Sequence, residues 1–234
     1  GILSGCKVAG EVFRIVDKNL KFEPFIYDGS EISPGDIVFH ISGKVQSVLK
    51  SERLVLNIMQ RMSGIATSTR MYADRLKGLK AKILDTRKTT PGMRFLEKEA
   101  VRTGGGLNHR MGLYDMIMLK DNHIDYAGGI ENAINSTRDY LKRNNKDLKV
   151  EIEARNLADV KKILEIGGVD RIMLDNFNIS DTREAVKIIA GRYETESSGG
   201  ITLETIRAYA ECGVDYISAG ALTHHIKSLD MSLK

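Results

Sequence analysis

Residues 149–220 read "KVEIEARNLADVKKILEIGGVDRIMLDNFNISDTREAVKIIAGRYETESSGGITLETIRAYAECGVDYISAG". Short apolar runs at 149–154, 171–175, 193–198 and 214–220 are separated by helix-like stretches at 157–166, 180–190 and 202–211. Brief runs of this kind, set between longer helical ones, predict βαβ units and a parallel sheet. Working outward, "AKILD" (81–85) and "MIMLK" (116–120) are two more such runs. Six strands within residues 80–225 predict an incomplete (β/α) barrel, since a full eight-unit barrel takes ~200 residues or more. A doubly wound sheet fits the same alternation.

The first fifty residues read as β structure. Pro34-Gly35-Asp36 signals a turn, and Ile37, Phe39 and Ile41 then alternate with Val38, His40 and Ser42. "KVQSVL" (44–49) is expected to be another short strand. From Ser51 the spacing becomes helical and proline-free, with Ser51 as N-cap and Glu52 in the first turn. This gives two parts: residues 1–79, ending in a long connecting helix, and residues 80–225, the barrel. In the tail 226–234, Leu229, Met231 and Leu233 alternate, and this segment is expected to return to the N-terminal part.

A hydrophobic content of 42% excludes a disordered chain, and 28% charged residues leave no run long enough to span a bilayer. The two cysteines, Cys6 and Cys212, cannot form a disulfide framework; they read as reduced thiols, and with no signal-peptide pattern the expected location is cytoplasmic. Thirty-five Lys and Arg against thirty-one Asp and Glu leave +4, too mild to argue for nucleic acid or an anionic membrane. What matters is where those cations fall.

In parallel α/β folds, functional residues collect at the carboxyl ends of strands, where the loops converge. The first strand runs into "DTRKTTPG", with Asp85, Arg87 and Lys88; the second reaches Lys120, then Asn122 and His123. Glu151 and Glu153 lie on the third, Asp175 and Asn176 end the fourth, and Glu196 precedes "SSGGI" on the fifth. "GGGLNHR" carries His109 and Arg110 between the first two strands. Cations dominate the early ends and acids the later ones. That pattern suits a polyanionic substrate with a divalent cation, because Mg²⁺ is typically held by one or two carboxylates plus substrate phosphates. Arg offers flat bidentate contacts to carboxylate or phosphate, and Lys a point charge. "SSGGI" and "SAGALTH" each follow a strand and precede a helical stretch, where backbone amides can cradle a phosphate.

Each feature has a plainer reading. A glycine pair is more often a tight turn, and either Glu153 or Asp175 alone is more often a surface or capping acid. His224-His225 resembles a metal pair, but neighbouring residues do not share a helix face. His40 reads as structural and Cys212 as packed. Coincidence at six successive strand ends is what makes the plain readings give way.

The blocks "ERLVLNIMQRMSGIAT", "DTRKTTPGMRFLEKEAVRTGGGLNHRMGLYDMIMLKDNHI", "DRIMLDNF" and "ESSGGITLETIRAYAECGVDYISAGALTH" closely resemble the quinolinate phosphoribosyltransferases, across nearly the whole chain. The resemblance implies an N-terminal α/β sandwich domain joined to an incomplete (β/α) barrel. It implies an enzyme of NAD biosynthesis that converts quinolinate and phosphoribosyl pyrophosphate to nicotinate mononucleotide, pyrophosphate and CO₂, with Mg²⁺. By the same resemblance, Arg53 (from a neighbouring subunit of a homodimer or larger assembly), Arg87, His109 and Arg110 would hold quinolinate. Lys88 and Lys120 would sit between the carboxylates and the pyrophosphate, and Glu153 and Asp175 would face the ribose hydroxyls and Mg²⁺. Ser198, Gly199, Gly200, Ala219 and Gly220 would bind the 5′-phosphate. Family members usually carry a further helical segment before the position of Gly1, which implies either a truncated or an unusually short N-terminus; "GGVD" (167–170) is one residue longer than is common.

Three rival readings fit parts of the same pattern. A related phosphoribosyltransferase with another acceptor would need fewer cations than Arg87, His109, Arg110 and Lys120. A non-catalytic phosphosugar-binding protein is expected to lack Lys88 or one of the acids. A biotinyl- or lipoyl-type carrier, hinted at by "PGDIVFHISGKVQSVL", would need modification-site neighbours that Lys44 does not have.

Overall fold

A computed structural model describes all of residues 1–234. The chain forms two compact units, residues 1–74, 88–108 and 220–234 in the first and residues 75–87 and 109–219 in the second. Segments 88–108 and 220–225 therefore lie with the first unit, whereas sequence pattern groups them with the barrel strands. Contacts between residues distant in sequence hold 88–108 there: Arg61 on the long helix binds Glu97 (2.7 Å) and Arg70 binds the Gly104 carbonyl (3.0 Å).

The first unit opens with α1 (Cys6–Val16), followed by β1 (Lys21–Pro24), β2 (Phe39–Ser42) and the 31-residue α2 (Val45–Arg75). Later in the chain it gains α3 (Arg94–Thr103) and the single turn α9 (Ala221–His224). Strands β1 and β2 pair antiparallel, Phe22 opposite Ile41. Leu3, Cys6, Ala9, Phe13, Val55 and Met59 make the core beneath them, with Phe22 and Phe39 packed against it.

Three expectations for this unit change. Helix α1 lies in a stretch read as β. No neighbouring side chain caps it; Asp28 does, accepting the Cys6 N–H at 2.8 Å and the Lys7 N–H at 3.3 Å from a loop 22 residues away. The run "KVQSVL" is helical from Val45, because six residues are too few to distinguish a period of 2 from one of 3.6. Ser51 is not a cap: it is buried inside α2, and its hydroxyl donates back to the Ser47 and Val48 carbonyls. The tail does return to this unit, without forming a strand. The Leu229 N–H donates to the Gln60 carbonyl and the Gln60 amide to the Met231 carbonyl, so Met231 reaches the core along α2.

The second unit is a six-stranded parallel sheet in the order β3-β8-β7-β6-β5-β4. Its strands are β3 (Lys82–Leu84), β4 (Ile117–Leu119), β5 (Val150–Ala154), β6 (Arg171–Asp175), β7 (Glu194–Ser198) and β8 (Tyr216–Ser218). Between them run α4 (Asp121–Tyr126), α5 (Ile130–Arg143), α6 (Leu157–Ile166), α7 (Ile179–Ile189) and α8 (Ile206–Ala210). The sheet is open, as an incomplete barrel requires, since β3 and β4 are its two edges. Asn156 and Asn178 cap α6 and α7 by accepting the Asp159 and Asp181 N–H groups at 2.9 and 2.8 Å. Val150, Ile152 and Ala154 take one face of β5, and the period of two sends Glu151 and Glu153 to the other. The registers then set Arg171 beside Glu151 and Glu194, and Glu196 beside Met173 and Tyr216. That alternation builds a polar face.

Candidate active site

Strand β3 is followed by Asp85, which is fully buried and accepts the His109 N–H at 2.8 Å. This bond fixes the segment carrying His109 and Arg110 at the end of the sheet. Arg110 is buried; its guanidinium donates to the Met116 carbonyl at 3.3 Å and lies 3.7 Å from the Met118 sulfur. Burial and the nearby Arg87 cation both hold the Arg110 guanidinium below its ordinary value, while Glu151, Asp115 and Glu153 pull the other way. Two arginine cations held this close are suited to an anionic group.

At the end of β5 the Glu153 carboxylate accepts the Asp121 N–H at 3.1 Å and lies 3.4 Å from the Lys120 ammonium. Asp175, ending β6, accepts the Asn176 side-chain amide at 2.8 Å. The Asn176 N–H donates across to the Ser198 carbonyl at 2.9 Å, which ties the ends of β6 and β7 together. Gly199 follows at φ 96°, and a Cβ there would come within 2.9 Å of the Asn176 backbone nitrogen. Only glycine fits that place. Ala219 donates its N–H to the Leu84 carbonyl at 3.1 Å, anchoring the loop after β8. Arg87, His109, Arg110, Lys120, Glu153, Asp175, Ser198, Gly199, Gly200 and Ala219 thus all belong to the second unit.

The first unit holds the other three predicted residues. Lys88 begins the segment after Arg87, and a Cβ on Gly220 would sit 3.1 Å from its Cδ. Arg53 stands exposed on α2, one helical row along from the exposed Val45 and Leu49.

Behind His109 lies a buried network that sequence reasoning left without a role. His109 Nε2 is 3.0 Å from Glu151 and 3.5 Å from Glu196, and Arg171 reaches Glu196 at 2.9 Å and Glu194 at 3.1 Å. The Arg110 N–H donates to His109 Nδ1 at 2.7 Å, so Nδ1 carries no proton in this arrangement. Burial by itself would push the imidazole down, but Glu151 and Glu196 outweigh it and raise it to about 9. Burial and the neighbouring Glu196 lift Glu151 to about 7. With Nδ1 engaged by backbone, the surplus proton belongs on Nε2, which faces Glu151 and Glu196. With that proton the quartet of His109, Glu151, Glu196 and Arg171 is neutral, as burial demands. His109, Glu151 and Glu196 also lie close enough to hold a metal ion. The Arg171 cation already supplies the positive charge there. The signal for this network was the parity of "VEIEA" and "ETESS", which puts every glutamate of each strand on one face.

Two family models divide the chain between them. The N-terminal domain model of quinolinate phosphoribosyl transferase matches residues 1–63 and the C-terminal domain model residues 65–234. The chain belongs to the quinolinate phosphoribosyltransferase family. Its family relatives include quinolinate phosphoribosyltransferase [decarboxylating] 1b of Nicotiana tabacum, 48% identical over 248 aligned positions, with all of this chain and 70% of the relative covered. A probable nicotinate-nucleotide pyrophosphorylase [carboxylating] of Bacillus subtilis is 42% identical, with 100% and 79% covered. Among solved quinolinate phosphoribosyltransferase structures, NadC from Streptococcus pyogenes superposes with a TM-score of 0.94 at 43% identity, covering 100% of this chain and 81% of that one. No helix is long and apolar enough to cross a membrane.

Proposed function

We propose that the second unit's strand ends are where this phosphoribosyltransferase joins quinolinate to phosphoribosyl pyrophosphate. The enzyme produces nicotinate mononucleotide, pyrophosphate and CO₂ in NAD biosynthesis. The observation that carries the site assignment is the meeting of Arg87 and Arg110 with the Lys120–Glu153 pair at the ends of one parallel sheet.

Arg87 and Arg110 take the two quinolinate carboxylates, with His109 beside them fixing the Arg110 backbone. Lys88 and Lys120 neutralise the departing pyrophosphate, and Glu153 and Asp175 face the ribose hydroxyls. Ser198, Gly199 and Gly200, with Ala219 and Gly220, form the 5′-phosphate site, the Ala219 amide itself being held by the Leu84 carbonyl. The donors for Mg²⁺ are two oxygen-bearing acids on adjacent strand ends, a set suited to a hard cation that shares phosphate oxygens with the substrate. Bound to Glu153 and Asp175, the ion would supply positive charge to the pyrophosphate.

The pyridine nitrogen attacks the anomeric carbon as the bond to pyrophosphate breaks, through an oxocarbenium-like state. No protein nucleophile is required; the residues position the partners and stabilise charge. The ribosylated ring nitrogen is then cationic. It accepts the electron pair left when CO₂ departs from the adjacent carbon, and that carbon takes up a proton.

The exposed row Val45, Leu49 and Arg53 suits contact with a second copy, and we assign Arg53 to the partner's site in a homodimer or larger homo-oligomer. Two buried free thiols suit a reducing compartment, which is our reason for placing the enzyme in the cytoplasm. The test is a purified assay with phosphoribosyl pyrophosphate and Mg²⁺, comparing quinolinate with nicotinate. CO₂ release from quinolinate alone is expected, and equal use of nicotinate would overturn the substrate assignment. Lys88→Ala, at an exposed position, is expected to reduce kcat roughly a hundredfold or more while urea denaturation stays within about 0.5 kcal/mol. Near-normal turnover would remove Lys88 from the site.

A further inference from the structure

Arg61 lies on α2, within a block that marks the family but has no part in the mechanism above. Its Nε donates to Glu97 Oε1 at 2.7 Å, and its Nη2 to Thr90 Oγ1 at 2.7 Å and the Thr223 carbonyl at 3.2 Å. Glu97 is fully buried on α3 and uses its other oxygen to accept the Thr90 N–H at 3.1 Å. Thr223 in α9 donates its hydroxyl to the Lys88 carbonyl at 2.8 Å, and Arg94 Nε donates to Thr89 Oγ1 at 3.1 Å. Three successive residues, 88 to 90, are therefore tied by side chains from α2, α3 and α9, all within the first unit. A surface loop needs no such restraint to stay folded, and burying a glutamate to provide it is costly unless the charge is paired.

We propose that Arg61 and Glu97, with Thr90 and Thr223, are positioning residues that hold the backbone of the 88–90 segment so that Lys88 meets the pyrophosphate group. The inference rests on the role given to Lys88 above. Arg61 is suited to this because one planar guanidinium serves Glu97, Thr90 and Thr223 together; a lysine ammonium offers no such fork. Displacement of a charge-stabilising group by about 1 Å can cost on the order of a hundredfold in rate.

The test compares Arg61→Lys, Thr90→Val and Thr223→Val with wild type. The two valine variants remove only a hydroxyl and keep the test decisive if Arg61→Lys fails to fold. Steady-state kinetics would be read with phosphoribosyl pyrophosphate as the varied substrate, and quinolinate binding by calorimetry. Expected is a roughly ten- to hundredfold fall in kcat/KM for phosphoribosyl pyrophosphate, with quinolinate affinity held within about twofold and Tm within a few degrees. Normal kcat/KM in folded Thr90→Val and Thr223→Val would overturn the proposal. So would equal losses in quinolinate affinity and thermal stability, which mark a purely structural role. A wild-type enzyme that fails to release CO₂ from quinolinate would instead count against the reaction itself.

Discussion

Four charged groups, His109, Glu151, Glu196 and Arg171, share one cluster in which all but the half-buried Arg171 are buried, and its protonation is sensitive to pH. The His109 imidazole titrates near its ordinary 6.5 when unfolded and at about 9 when folded. The folded state holds that proton more tightly, so the stabilisation is complete below about pH 6.5 and fades as pH rises through about 9. Glu151, lifted to about 7, acts in the same direction at lower pH. The His109 contribution corresponds to up to ~3 kcal/mol. Tm measured from pH 6.5 to 9.5 is expected to decline, with His109→Gln flattening the decline. A wild-type profile no steeper than that of the variant would contradict this account. Arg171→Met leaves Glu196 without its cation in a buried place, and urea denaturation should show a loss of ~3 kcal/mol or more. The sequence displayed these residues but not their partnership, because the pairing depends on register between strands about 20 residues apart.

Legibility of the elements tracked the range of the interactions that form them. Helix α6 was readable as residues 157–166 because its periodicity and its Asn156 cap are both local. Helix α1 was not, because the group satisfying its first N–H donors is Asp28. Asp28→Ala should therefore cost about 1 kcal/mol, typical of a lost N-cap, and hydrogen exchange at Cys6 and Lys7 should accelerate. Unchanged exchange would mean that the cap is dispensable. The start of helix α2 is likewise helical where the sequence reads as strand. Its first turn resembles a strand because Val45 and Leu49 face outward, and nothing in a short window separates an exposed helical row from a strand edge.

The proposed assignment of Arg53 to a second copy's site is testable at the scale of the assembly. Arg53→Ala and Lys120→Ala proteins, each inactive alone, should recover part of the activity when refolded together, since a mixed dimer keeps one site with both cations. No recovery in a sample shown to contain mixed dimers would argue that each subunit works alone. Within the chain, the sequence by itself determined the parallel sheet, because short strand-like runs alternate with longer helix-like stretches. It also determined the family and the list of ionisable groups at the strand ends. Tertiary structure alone decided that 88–108 fold with the N-terminal unit, that the tail lies along α2, and that Glu151 and Glu196 meet His109 with Arg171 on Glu196. Each of these depends on hydrogen bonds or ion pairs between residues distant in sequence, and one-dimensional periodicity carries no information about which distant partners meet.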